Sequence, residues 1–357
     1  MEIYWYLIIV FVLAVYFILD GYDFGVGIIH LFMAKDEKDK KVIAKAAGLY
    51  WDSNEVWFIA GGGLLFLAFP VLYASAFSGF YLPLIIVLWL FVFRAISLEL
   101  RNHWNNNLWT SFWDFAFGIS SLLLALFFGI ALGNVVRGVN LGGVVNGQSI
   151  YEAHYFFLPL WNSTFSPMVE SVGVIDWFTL IIGLIAVVVL AMHGAAWIIL
   201  KTNSSINEKL KKVVQKLDII LIILTIVSLI AWLAVKPDAL NNFFTKPYLL
   251  ILPIIYFIGL LGLLLSGKIS DKKRFLYTSL VIVGGIASSV ASIFPTILPS
   301  TNNINPDLTI YNTVAHEYGL SIAIVWIFIG LALLAVYFIT QHRLMKGKID
   351  DMMDYGH

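Results

Sequence analysis

Residues 180–190 read Leu180-Ile-Ile-Gly-Leu-Ile-Ala-Val-Val-Val-Leu190, an apolar run without alternation between polar and apolar side chains. A membrane-spanning β-strand would alternate, because its side chains face lipid and lumen in turn. A run of this kind is typical of a buried or lipid-facing helix instead. The stretch therefore predicts a helical protein and argues against a barrel.

The whole composition places such helices in a membrane. Hydrophobic residues make up 60% of the chain and charged residues only 12%, and the mean hydropathy is +0.89. About 20 apolar residues cross the roughly 30 Å hydrocarbon layer as a helix. The stretches that meet this length are 3–24, 55–76, 79–99, 112–133, 174–200, 217–235, 247–267, 275–294 and 318–341. We expect an all-α polytopic membrane protein with about nine transmembrane helices.

The distribution of basic residues predicts the orientation, because Lys and Arg favour short cytoplasmic loops. Of the 22 basic residues, 18 lie in alternate connections of the predicted spans. Those connections are 34–50, 100–111, 201–216 and 268–274, together with the tail 342–357. An odd number of spans then places the N-terminus outside and the C-terminus in the cytoplasm. Glu2 precedes the first span without a basic leader, which predicts a retained helix rather than a signal peptide.

Two pairs of acids stand at the predicted cytoplasmic side of the first two spans. Asp20 and Asp23 are three residues apart, as are Asp52 and Glu55, so that each pair shares one face of its helix. Ionisable groups at membrane depth are costly unless they are paired, hydrated or used. The pairs predict a proton, ion or ligand site, and we interpret them as a hydrated proton-entry cluster.

Other charged residues are expected near the same level. Arg94 and Glu99, in the third span, are predicted to form a structural ion pair, and Asp114 is predicted to open the fourth span. Asp52, Glu99 and Asp114 have a second interpretation, as helix-end acids favoured by the helix dipole. One arginine cannot neutralise six carboxylates, so some are expected to be protonated or to contact water or a partner. Trp51 and Trp57, which lie beside the second acid pair, are additional candidate site residues.

Ligands for haem or metal ions are scarce. The chain has no Cys, which excludes thiolate ligation and cysteine-bound iron–sulfur clusters. Of the seven His residues only His30 and His193 approach membrane depth, where a lone His more often makes structural hydrogen bonds. We therefore expect no metal site in this chain and no haem held by it.

The longest predicted loop, about 134–173, is an outside segment rich in Gly and Asn that could fold over the bundle. Its aromatic residues are Tyr151, Tyr155, Phe156, Phe157 and Trp161. Trp and Tyr near the ends of spans usually form an interfacial belt. An interfacial belt is the favoured interpretation of these aromatic residues, and a binding site is the alternative.

A series of short motifs occurs in the order found in subunit II of the cytochrome bd-type quinol oxidases, which this chain resembles. The motifs are Asp20-Gly-Tyr-Asp-Phe-Gly-Val-Gly27, WDSNEVW at 51–57, Gly62-Gly63, Phe69-Pro70, Tyr73-Ala74, Ser78-Gly79-Phe80-Tyr81, Arg94 with Glu99 and Arg101, Trp113-Asp114, Gly133-Asn134, Phe294-Pro295, Pro299-Ser300 and Leu308-Thr309. The resemblance covers essentially the whole chain and is densest over 20–134. Tyr22 stands where that family usually has Phe, and Ser53 where it usually has Gly.

The resemblance implies a fold of two four-helix bundles and one peripheral helix in a single membrane domain, 1–357. Within it we expect a first bundle at 1–134 with the acid cluster, an outside loop at 135–173, a second bundle at 174–294, and an outside loop, peripheral helix and cytoplasmic tail at 295–357.

The resemblance also implies a function. A similar subunit I would carry haems b and d and the quinol-oxidising loop, while subunit II would support assembly and part of a cytoplasmic proton-uptake path. The isolated chain would then not be catalytic, and the complex would couple quinol oxidation to oxygen reduction in a prokaryotic cytoplasmic membrane. By the family's motifs, Asp23 and Asp52 are the protonatable candidates. A structural quinone and a small accessory subunit are left open, and no nucleic acid is expected.

Two other functions remain open at this point. Acid clusters also couple proton or sodium gradients to solute movement in secondary transporters, which would function without a haem-bearing partner. A purely structural assembly subunit with inert acids is the third interpretation.

Overall fold

A computed structural model of the chain describes residues 1–104, 106–141, 144–145, 148–149, 158–265, 270–302, 305–345 and 347–350. The loop aromatics Tyr151, Tyr155, Phe156 and Phe157 fall outside these described residues. The prediction about how that loop lies stays a prediction.

Long helices dominate the described part of the chain. They are α1 (Glu2–Met33), α2 (Glu37–Gly48), α3 (Trp51–Ala68), α4 (Pro70–Gly79), α5 (Tyr81–Leu100), α6 (Asn107–Arg137), α7 (Trp177–Lys201), α8 (Ile206–Val235), α9 (Asn241–Thr245), α10 (Ile251–Leu264, after a 3-10 turn at Pro247–Leu250), α11 (Asp271–Ile293) and α12 (Glu317–Leu344). Among the described residues, eight helical segments can each span a membrane, and α3 with α4 makes a ninth when counted together. The predicted polytopic helical fold is confirmed, and the orientation of the termini stays a prediction.

The second predicted span, 55–76, is not one continuous helix. Helix α3 ends at Ala68, and α4 leaves at an angle of 118°. Phe69, at the junction, has φ −132° and ψ 64°, outside the helical region. Pro70 explains the break, because its ring disfavours helical geometry in the preceding residue and it has no backbone N–H.

Helix α2 lies in the segment 34–50, which was expected to be only a connecting loop. It begins after Asp36, whose side chain accepts a hydrogen bond from the backbone of Asp39. Its buried residues include Val42, Ile43, Ala46 and Ala47, so that one apolar face packs on the bundle, while Lys38 and Lys41 are exposed. The short helix thus covers one end of α1 and α7.

Helix α1 lies at the centre of the molecule and packs against α3, α6, α7 and α11. At the α1–α7 crossing Gly25 faces Gly194, and a Cβ on either one would overlap the backbone of the other helix. On one side α3 and α6 pack against α1, and α5 packs against α6. On the other side α8 and α11 pack against α7, and α10 packs against α11 and α8. This packing agrees with two four-helix groups joined along α1 and α7, although the exact limits 1–134 and 174–294 stay predictions.

Helix α12 is peripheral, since none of its most apolar 18-residue window is buried. It is attached near its two ends. The Ala315 backbone N–H, just before the helix, donates to the Ala68 carbonyl at 2.9 Å. At the other end the Tyr50 hydroxyl donates to the Met345 carbonyl at 2.7 Å.

Among the described residues, six short strands form three two-stranded ladders. They are β1 (Val144–Val145), β2 (Gln148–Ser149), β3 (Thr202–Asn203), β4 (Thr296–Leu298), β5 (Leu308–Thr309) and β6 (Ile349–Asp350). β1 with β2 and β4 with β5 are antiparallel, whereas β3 pairs with β6 in parallel. The last pairing attaches the chain after α12 to the end of α7.

Candidate functional site: buried charges on the first helices

Both acids of the first pair are buried inside the bundle. Asp20 is 0% and Asp23 1% exposed, and both lie within the continuous helix α1. Their spacing of three residues places them on one side of that helix, toward α3 and α5. The predicted common face is therefore present.

Arg94 joins the acids of two helices. Its Nη1 donates to Asp20 Oδ1 at 2.6 Å, and its Nη2 donates to Glu55 Oε1. The guanidinium carbon also lies 4.6 Å from the ring centroid of Phe24. The negative π-face of that ring attracts a cation. Arg94 thus links α1, α3 and α5.

Asn54 connects the second acid of α1 to the same group. Its Nδ2 donates to Asp23 Oδ2 at 2.7 Å and to the Tyr22 hydroxyl at 2.7 Å. Sequence reasoning did not select Asn54, although it lies inside the WDSNEVW motif. We call Asp20, Asp23, Asn54, Glu55 and Arg94 the Arg94 cluster.

The Arg94 cluster contains more acids than bases. Three carboxyl groups face one guanidinium, and the Glu55 side chain is only 25% exposed. Among the described residues, Asp20 Oδ2 and Asp23 Oδ1 are buried without a hydrogen-bond partner. An ionised carboxylate can only accept hydrogen bonds, whereas a protonated one can donate. The excess acid and the free oxygens favour protons or water in this cluster.

Asp52 lies at the surface rather than in the cluster. It is exposed in the first turn of α3, one turn before Glu55. Trp51 beside it is half-buried. Trp57 is 7% exposed, and its indole nitrogen has no partner among the described residues. The order Asp52, Glu55, Asp20 therefore leads from the surface to the buried acids.

The predicted ion pair between Arg94 and Glu99 is wrong. Arg94 is fully buried and pairs with Asp20 and Glu55, while Glu99 is exposed near the end of α5. Five residues correspond to about 140° around a helix. Glu99 consequently points away from the face that carries Arg94.

Asp114 belongs to a second group of charges. It accepts a bidentate pair of hydrogen bonds from Arg101, at 2.5 and 3.2 Å. The His30 ring and the Lys40 ammonium lie 3.2 and 3.3 Å from its carboxylate, and Glu37 completes the group by pairing with Arg101 at 3.1 Å. We call these residues the Asp114 cluster.

Two expectations about Asp114 are corrected by this arrangement. Helix α6 begins at Asn107, so Asp114 lies about two turns inside it rather than at its opening. The acids also do not converge at one level. Asp20 and His30 are ten residues apart on one continuous helix, which separates the Arg94 and Asp114 clusters by about 15 Å.

The Asp114 cluster is balanced, and its outer edge lies outside the spans. A hydrogen bond from Lys40 lowers the pKa of Glu37, and the charges of Lys40 and Arg101 act in the same direction. Each acid has a basic partner within 3.3 Å. These contacts connect α1, α2, α5 and α6, which supports a structural role.

At the other end of α6, Arg137 forms a buried ion pair with Asp176, and both side chains are 1% exposed. The guanidinium also donates to the Gly138 and Gly173 carbonyls at 3.0 and 3.1 Å and to Asn134 at 2.5 Å. Asp176 caps α7 by accepting from the backbone of Phe178 and Thr179. We call this the Arg137 latch. Sequence reasoning did not select Arg137 or Asp176.

The family model for cytochrome bd terminal oxidase subunit II matches residues 1–345. The chain belongs to this family. It is therefore a subunit of a terminal oxidase, and the family identification made from the motifs is confirmed.

Curated relatives agree with the family model. "Probable cytochrome oxidase subunit 2" of Haemophilus influenzae is 26% identical over 97% of this chain and 94% of the relative. "Cytochrome bd-I ubiquinol oxidase subunit 2" of Escherichia coli K12 is 24% identical with the same coverage. The Bacillus subtilis protein "Cytochrome bd ubiquinol oxidase subunit 2" is 26% identical over 89% of this chain and 88% of its own.

A solved structure shares the fold. In the bd oxidase from Geobacillus thermodenitrificans, one chain superposes with a TM-score of 0.69 at 14% identity, covering 97% of this chain and 99% of that one. At this identity the likeness concerns the fold alone.

The two membrane-depth histidines of this subunit II family member do not fit axial ligation of a haem. His193 uses both ring nitrogens, contacting Thr278 Oγ1 at 2.7 Å and the Ile18 carbonyl at 2.9 Å. His30 lies against Asp114.

Proposed function

We propose that this chain is the subunit of a bd-type quinol oxidase that supports assembly of a haem-bearing subunit I and delivers cytoplasmic protons toward it. The names of its relatives, which include two ubiquinol oxidase subunits, support quinol oxidation coupled to oxygen reduction. Haems b and d would lie in the partner subunit, since His30 and His193 are engaged elsewhere. The location would be a prokaryotic cytoplasmic membrane, and the complex rather than this chain would be the catalyst.

The Arg94 cluster is the observation that carries the proton-path proposal. It holds three carboxyl groups around one guanidinium at membrane depth, and burying that much negative charge is costly unless protons are bound. Asp52 at the surface and Glu55 at its edge would collect protons. Asp20 and Asp23 would relay them, while Arg94 fixes the geometry of the acids.

A secondary transporter has no specific support in this molecule. Membership of the oxidase family favours a chain that works beside a redox partner. A wholly inert assembly subunit is the alternative that experiments on the acids can separate.

The test replaces Asp52 by Asn in the complete oxidase and measures oxygen consumption, proton uptake and haem content. We expect normal haem content with slower proton uptake. Glu208→Gln is a matched control, because Glu208 is likewise an acid in the first turn of a helix, α8, on the same predicted side. Wild-type uptake in a fully assembled Asp52→Asn oxidase would remove Asp52 from the path, and loss of haem would assign it a structural role.

A further inference from the structure

An apolar cavity of about 410 Å³, partly open at its side, lies alongside α1, beyond the Arg94 cluster. Its walls include Tyr6, Leu13 and Tyr16 of α1, with Tyr256 and Val281 from the opposite helices α10 and α11. Tyr6 and Tyr16 are ten residues apart on a continuous helix, so that the cavity follows α1 for about 15 Å. It thus occupies the membrane depth between the acids and the other end of the bundle.

Each end of this stretch is marked by a tyrosine. At the far end the Tyr6 hydroxyl donates to the Val290 carbonyl at 3.2 Å, which joins α1 to α11. At the near end Tyr16 is fully buried. Its hydroxyl has no hydrogen-bond partner among the described residues.

Tyr16 is also one helical turn from Asp20. Both side chains are buried on the same face of α1, and Asp20 Oδ2 has no hydrogen-bond donor among the described residues. A phenol can donate to such an oxygen directly or through a water molecule. Tyr16 therefore lies between the Arg94 cluster and the cavity, whose wall it lines.

The ring of Tyr16 is held in place by aromatic neighbours. Its centroid lies 5.1 Å from that of Phe58 and 6.0 Å from that of Phe128. Phe24, which also lies over Arg94, is 6.4 Å away. These contacts fix the ring between the charged cluster and the apolar cavity.

An apolar cavity is a barrier to protons. Cavities lined by aliphatic and aromatic side chains stay dry, since a water molecule needs polar partners. A proton also needs water or a titratable group to cross. From Tyr16 to Tyr6 the buried face of α1 offers only apolar residues such as Ile9, Val12 and Leu13.

We propose that Tyr16 closes the Arg94 cluster on the side of the cavity and that the apolar cavity beyond it prevents protons from crossing to the opposite face. If the cluster takes up protons, as proposed above, such a closure would keep it open to one side of the membrane only. Protons that enter past Glu55 would then leave sideways toward the partner subunit.

The test measures passive proton leak, without quinol, in vesicles that contain the assembled oxidase under a potassium diffusion potential. Tyr16→Ala removes the ring, so that water held by the polar Arg94 cluster can extend into the space left and shorten the dry path; the leak should then rise by about tenfold, or about 1.4 kcal/mol of barrier. Tyr16→Phe keeps the ring and should leave the leak at the wild-type level. Tyr4→Ala is the matched control, because Tyr4 is 65% exposed on the same helix.

Adding Asp20→Asn to Tyr16→Ala should return the leak toward wild type, since the leak would pass through Asp20. A wild-type leak in an assembled Tyr16→Ala oxidase would overturn the proposal. A raised leak that Asp20→Asn does not reduce would also overturn it. If Tyr16→Ala does not assemble, Leu13→Asn is the second test, because it places an amide in the cavity wall. An unchanged leak in that variant would also contradict the proposal. The leak assay contains no quinol, so it does not test the proposed proton delivery. That function is tested separately, and normal proton uptake in the Asp52→Asn oxidase would contradict it.

Discussion

The Arg94 cluster and the Arg137 latch are both built on a buried arginine, yet their surroundings differ. Arg137 faces one carboxylate, Asp176, and its other N–H groups donate to two backbone carbonyls and Asn134. Arg94 faces two carboxylates directly, and Asp23 lies close behind. One site is balanced in charge, and the other has excess acid.

This difference separates a structural site from a site that can exchange protons. A balanced pair whose donors are occupied loses stability if a proton is added or removed. A group with surplus carboxyl oxygens can bind a proton without losing its ion pair. The contrast predicts that changes in the Arg137 latch act on stability, whereas changes in the Arg94 cluster act mainly on turnover.

The largest effect is expected from Arg137→Ala. It leaves Asp176 buried and unpaired, which costs about 3–5 kcal/mol, and should lower the yield and thermal midpoint of the assembled oxidase. Arg94→Ala should cost less stability, because the neighbouring acids can take up protons in place of the lost charge. Thermal unfolding of the purified complexes checks the order, and a larger loss for Arg94→Ala would contradict the contrast.

The second-largest effect tests the same contrast by measuring activity instead of stability. Asp20→Asn keeps an acceptor for Arg94 but cannot bind and release a proton, so oxygen consumption should fall by about 10²-fold at normal haem content, a typical effect of a lost acid–base group. Asp176→Asn is the matched change in the Arg137 latch. It should reduce the amount of assembled oxidase while the turnover per haem stays at the wild-type value. Equal turnover per haem in the two variants would remove the distinction.

The smallest effect concerns the outer edge of the Asp114 cluster. Glu37 is 59% exposed beside Lys40, and such surface pairs contribute about 0.2–1 kcal/mol. Since the hydrogen bond from Lys40 lowers its pKa in the folded protein, Glu37 stabilises the fold above its unfolded pKa, and this contribution is lost as the pH falls through the folded value. Glu37→Gln should therefore reduce stability slightly at neutral pH and not in acid. A stability loss as large as that of Arg137→Ala would show that the Asp114 cluster stabilises the fold as strongly as the Arg137 latch does.

The spans and the acid pairs could be predicted from the sequence, because both depend on local composition. Apolar runs of membrane length locate helices whatever they pack against. Asp20, Asp23 and Glu55 were selected because charges at membrane depth are costly wherever they lie. Contacts between the helices bring Asp20 and Glu55 to Arg94 and Asp23 to Asn54.

Other features depend on the direction of a helix or side chain, or on a pair of residues far apart in the sequence. These could not be predicted from local composition. The bend at Phe69 and Pro70 was overlooked because apolarity continues through it, although the proline was a visible signal. Glu99 was assigned to Arg94 by proximity in sequence, whereas the helix turns it away. Arg137 and Asp176 are 39 residues apart across a long loop, and no spacing rule connects them.

Infrared difference spectroscopy of the oxidised and reduced oxidase tests the central claim most directly, because a protonated carboxylic acid has its own C=O stretching band. We predict such a band, shifted in D₂O, that changes on turnover and is lost or altered in Asp20→Asn or Asp23→Asn but unaffected by Asp176→Asn. A band that is the same in the wild type and in the Asp20, Asp23 and Glu55 variants would contradict the proposal that the Arg94 cluster carries exchangeable protons.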